Sequence, residues 1–173
     1  MGPYAALPAT RAPHRGGSIV RPGRFTDGMT MDEQLTAIDR LRLRAFPAEP
    51  LRSGTVESGP GFHIAGLRVG QDFWDADPAE VAEAEEEFED DLTALVRALS
   101  LRWGPPEVLD LTPHLERLAQ GLPVRPPLDT LCGYVPRMHG WRVAGRWIGV
   151  GVGQGERELP FQLLVAVGEE RVA

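Results

Sequence analysis

Cys132 and His139 stand seven residues apart with Asp129 just upstream, and they are the side chains best suited by type to covalent chemistry. A cysteine becomes a nucleophile when a neighbouring base takes its proton, and an imidazole steadied by a carboxylate is such a base. If the cysteine and the histidine occupy adjacent strands, Cys132, His139 and Asp129 could converge, and the chain would be a small thiol-dependent hydrolase. No other grouping offers a nucleophile. None of the four serines, Ser18, Ser53, Ser58 and Ser100, lies in a G-x-S-x-G elbow. His63, His114 and His139 are widely separated and no HExxH spacing occurs, so no metal and no cofactor are expected. A lone His63 within a strand reads as a satisfied core or edge residue.

A second group carries charge rather than reactivity. Ten of the seventeen residues from Asp75 to Asp91 are acidic. Glu83, Glu86, Glu87, Asp90 and Asp91 crowd one side of the helix predicted there. Such a run could bind cations or mimic nucleic-acid phosphate. The simpler expectation is a solvated face whose negative charge sits toward the positive end of the helix dipole. Asp72, Asp75, Asp77 and Glu80 lack the turn-forming glycine of an EF-hand.

The third group is the run GVGVGQG at 149–155, whose alternate glycines fall on one side of a strand, where each lacks a side chain to pack. With them on that face lie Arg142, Trp147, Gln162, Leu164 and Ala166. The run has no GxGxxG spacing and no following helix, so it is not a phosphate loop. Its glycines imply close approach, either by another element of the same chain or by a partner docking on Arg142, Trp147, Gly149, Gly151, Gly153 and Gln162. Internal packing is the first expectation.

What is missing narrows the chemistry further. Every basic residue is arginine, because the chain contains no lysine, and it contains no asparagine either. That excludes a Walker A phosphate loop, a lysine Schiff base and an N-glycosylation site. The bias is that of GC-rich coding and suggests a bacterial source. With 25 acidic side chains against 18 basic ones, the net charge is −7, which argues against general binding to nucleic acid or to an anionic membrane surface. A single cysteine permits no internal disulfide and suits a reducing cytoplasm. No apolar run approaches the roughly 18 residues that a membrane helix needs, and the N-terminus does not read as a signal peptide.

These groups need elements to hold them. Residues 1–28, rich in Gly and Pro, with Arg11, Arg15, Arg21 and Arg24 against Asp27 alone, read as a disordered leader or a mis-called start before Met29 and Met31. Residues 29–173 read as one α+β domain. Thr30 and Glu33 have capping-box spacing for a first helix that Pro47 ends. After a Pro/Gly-containing connection, Phe62 to Val69 reads as a strand. Asp77, Pro78 and Glu80 begin a long helix reaching about residue 100, with Val81, Phe88, Leu92, Leu95 and Leu99 on its apolar side. A brief strand is expected at 107–111, and a short helix from Thr112 to Gly121. An antiparallel meander follows, with strands near 130–135, 140–143, 146–154 and 159–167. An Ala144-Gly145 turn pairs Arg142 with Trp147, and a four-residue loop at 155–158 sets Val152 opposite Phe161.

The layout of helices before a meander is loosely similar to small bacterial immunity and accessory proteins. No motif carries a family. The function expected from these residues is therefore that of a non-catalytic interaction protein working through a protein partner or a second copy of itself.

Overall fold

The computed structural model describes residues 28–169; the expectations for the leader lie outside them. Helix α1 (Met31–Leu43) begins at the capping box predicted from Thr30 and Glu33, whose side chains each bond the other's backbone N–H. It stops before Pro47 because Arg44 turns extended. The Arg44 carbonyl there accepts bonds from Arg146 and from His63.

A hairpin of β1 (Leu51–Ser53) and β2 (Val56–Gly59) leads into β3 (Phe62–Val69). Both strands fall within the Pro/Gly-containing connection expected from the sequence, because strands this short give too little alternation to detect. Helix α2 (Pro78–Trp103) starts at Asp77, Pro78 and Glu80 as predicted and runs slightly past residue 100. Strand β4 (Glu107–Asp110), α3 (Thr112–Ala119) and a single turn, α4 (Leu128–Leu131), precede three longer strands. These are β5 (Arg137–Val143), β6 (Arg146–Gly153) and β7 (Gln162–Glu169).

The strands form one antiparallel sheet in the order β1-β2-β3-β7-β6-β5-β4. The C-terminal meander is present, but its first strand is β4 rather than residues 130–135. That segment alternates enough to resemble a strand. Leu128, Leu131, Cys132 and Val135 nevertheless follow the i, i+3, i+4, i+7 spacing of a helical turn, and all four are buried together. The β5–β6 register is the predicted one, with Arg142 opposite Trp147. The β6–β7 register is shifted by two places, placing Val152 opposite Leu163 and Val150 opposite Val165. Pro160 cannot donate to a ladder, and Gln154 braces a longer loop by bonding the Arg157 and Leu159 carbonyls. Since side chains alternate with a period of two, this shift leaves every residue on its predicted face.

Each face has its own core. Helices α1 and α2 cover one, burying Ile38, Leu95 and Leu99 against Ile148, Val150, Leu163, Val165 and Val167. The other face is covered by the segment between β4 and β5, which brings Leu111, Leu128, Leu131 and Val135 onto Ile64, Met138, Trp147 and Leu164.

Candidate functional site

The glycine face lies inside this second core. Gly140 and Gly149 are register partners, and the Trp147 indole lies across both: a Cβ on Gly140 would come within 2.5 Å of its ring nitrogen. Further along β6, a Cβ on Gly151 would stand 2.9 Å from the Arg137 carbonyl oxygen, and one on Gly153 would fall on the Tyr134 carbonyl. The glycines thus make room for an indole at one end and a crossing backbone at the other. Trp147, Gly149, Gly151, Gly153 and Gln162 are buried; among the six residues of the expected docking face, Arg142 alone is exposed. That corrects the docking reading of this face, because the 111–135 segment has taken the place a partner would need.

The thiol group is separated by the same sheet. Cys132 lies in the core beneath α4, 4% exposed, with its thiol 3.6 Å from the Asp129 carbonyl oxygen. Burial, and then the nearby Asp129 charge, push the thiol pKa up, away from a thiolate. The Asp129 carboxylate accepts from the Thr130 backbone N–H at 2.8 Å. His139 alternates on β5 with Met138, which belongs to the Cys132 core, and therefore points to the opposite face, with Trp141. Burial and the charge of Arg137 lower its pKa, against Glu89 of α2, which raises it. The expected Cys132–His139 pair does not form, because the strand proposed for 130–135 is a helical turn lying on one side of the sheet.

A buried pair does occur elsewhere. Ser58 and His63 face each other across the β2–β3 hairpin, Oγ to Nδ1 at 2.6 Å. The His63 Nε2 contacts the Arg44 carbonyl at 3.3 Å and must donate to it, so Nδ1 accepts the serine proton. With Ser58 and His63 both almost fully buried, the pair braces the end of α1. Arg146 completes that brace, donating to the Arg42 and Arg44 carbonyls with its guanidinium 4.1 Å above the Phe46 ring.

A cleft lies between the start of α1, the loop that follows β3, and the first half of α2. Its volume is about 840 Å³. Asp72, Glu80, Glu83, Glu87 and Asp91 supply its acidic groups, Phe73 lines it half-buried, and Phe88 lies almost fully buried beneath the Arg68 guanidinium. Of the acidic residues anticipated on α2, Glu83, Glu87 and Asp91 line the cleft, while Glu86 and Asp90 stand exposed outside it.

Among the described lining residues Arg68 is the cation, and a backbone irregularity aims it there. The β3–β7 register slips between Gly66 and Arg68, so Leu67 and Arg68 both face the helices. Arg68 bonds Asp91, reaches Glu87 at 3.2 Å and lies 4.3 Å above the Phe88 ring. Partial burial opposes its charge, but the two carboxylates outweigh that and hold its pKa above the ordinary arginine value. Sequence reading missed Arg68 because strict alternation from Phe62 would send it to the other face. The available clue was Gly66, since an isolated glycine in a strand often marks a bulge.

Among the described residues, no group of three or more His, Cys, Asp and Glu is arranged to hold a metal ion. No described helix is long and apolar enough to cross a membrane. Comparisons with protein-family models, curated proteins and solved structures found no match.

Proposed function

We propose that this chain is a small non-catalytic interaction protein that binds a protein partner through the cleft beside α2. The observation that carries this reading is the cleft itself, whose described lining sets five carboxylates, Asp72, Glu80, Glu83, Glu87 and Asp91, against the one guanidinium of Arg68, and includes no cysteine, histidine or serine. A site lined in this way has charge to steer a partner and the partly exposed Phe73 ring to contact it, but no nucleophile among its described lining. The elements around it are fixed: α2 is capped at Asp77 and packed along Leu92, Leu95 and Leu99, and Arg68 ties it to β3. Recognition surfaces gain from such rigidity because less order must be imposed on binding.

A buried free thiol at Cys132 suits a reducing cytoplasm. The test is capture from the source cell with the tagged full chain at low and at high salt. A stoichiometric partner that is lost at high salt, and lost at low salt from a Glu83→Gln/Glu80→Gln chain, is the expected result. A chain that captures no partner, or a partner indifferent to both changes, overturns the assignment.

A further inference from the structure

The loop between β3 and α2 presents a tryptophan to solvent, and its anchoring gives that exposure meaning. Trp74 is 68% exposed, whereas Trp141 and Trp147 are buried at 4% and 2%. The loop around it is tied down at several points. Gly70 N–H donates to the Phe161 carbonyl and Phe73 N–H to the Glu158 carbonyl, both at 2.9 Å. The Phe73 ring meets Phe161 edge to face at 5.6 Å. Asp77 then caps α2. A tryptophan offers a large rigid contact area at little entropic cost when its backbone is already fixed, and such residues dominate interface energetics.

The surroundings of Trp74 specify the partner's chemistry. Asp72 and Asp75 flank it, both exposed, and Asp72 also lines the cleft. An indole face attracts a cation, and a guanidinium can stack on it while its N–H groups reach adjacent carboxylates. An ammonium lacks the planar fork for both contacts at once. We infer that Trp74, with Asp72 and Asp75, is a docking point for an arginine-bearing segment of a partner protein, an inference that rests on the interaction reading above and names the contact.

The experiment uses the full chain and two blocked peptides, tetra-arginine and tetra-glutamate. Trp74 is the most exposed indole, so acrylamide quenching of tryptophan fluorescence reports mainly on it. Tetra-arginine is expected to bind saturably at low salt and to protect the fluorescence from acrylamide, while tetra-glutamate does neither. Trp74→Ala should weaken tetra-arginine binding, measured by calorimetry, about five-fold, and Trp74→Phe should retain most of it. Asp72→Asn with Asp75→Asn should weaken binding and reduce its salt dependence.

Equal affinity for Trp74→Ala would overturn the inference by reducing the effect to diffuse charge, and so would absence of saturation. Protection already present in the free chain, and lost when Arg11, Arg15, Arg21 and Arg24 become serine, would reassign the surface to the chain's own leader. Concentration-dependent self-association abolished by Trp74→Ala would reassign it to a second copy. A stoichiometric cellular partner still captured by Trp74→Ala would overturn this docking point and leave the broader reading standing. A chain that captures none would fail both.

Discussion

The Tyr134 carbonyl oxygen occupies the space that a Cβ on Gly153 would need, and it also accepts the Gln154 N–H at 2.9 Å. The backbone leaving α4 therefore crosses directly over the end of β6. Glycine is required at 153 by proximity, not by its φ angle.

The first prediction concerns the glycines of this strand. Gly151→Val must displace the Arg137 carbonyl, which would stand 2.9 Å from the new Cβ. Valine has the better strand propensity, but overpacking should win and destabilise the fold by about 1–3 kcal/mol. Gly153→Ala should cost at least as much. Denaturant midpoints test both, and a Gly151→Val chain that melts higher as a single species would contradict the packing described.

Phe88 is 2% exposed, with Phe161 at 6.0 Å between ring centroids and the Arg68 guanidinium on its face. Replacing it with alanine should cost about 3–5 kcal/mol by leaving a cavity under α2. Chemical denaturation measures this, and a change below roughly 1 kcal/mol would mean that α2 does not bury this face.

His63 should give the protein an acid-sensitive limb. Burial lowers its pKa from 6.5, with Arg44 and Arg146 adding to the effect and backbone bonds opposing it. The unfolded chain therefore binds the proton more readily than the folded one. Stability should be full above about 6.5 and fall as pH drops below that value toward the lowered folded pKa. His139 shifts in the same direction and contributes to the same limb. Comparing pH-dependent melting of His63→Gln with the parent checks this, and an unchanged slope below pH 6.5 would show that His63 is protonated as easily folded as unfolded.

Cys132 should resist modification. Its burial and raised pKa leave little thiolate at neutral pH. Alkylation by iodoacetamide should be slow in the native protein and fast in denaturant. Rapid native labelling at neutral pH would return the thiol chemistry to consideration.

Much of this architecture is legible in local pattern. The capping boxes at Thr30 and Asp77, the stripe from Phe88 to Leu99 and the Arg142–Trp147 register depend on neighbours close in sequence. The two-faced division of the meander also survives its register error, because alternation tolerates a shift of two places. The α2 carboxylates are equally plain as a run, and three of the five singled out line the cleft.

Tertiary structure decided the rest, where distant segments compete for one surface. Alternation alone cannot show that residues 111–135 fold back to cover the glycine face, nor that this cover puts Cys132 and His139 on opposite sides of a sheet. It cannot place Arg68 against α2, since that depends on a bulge and on partners, Glu87 and Asp91, that lie 19 and 23 residues along the chain. Periodicity determines which side of an element a residue occupies, because that follows from backbone geometry. Which surface meets that side is set by burial and charge pairing summed over the whole chain, and no local window contains that sum.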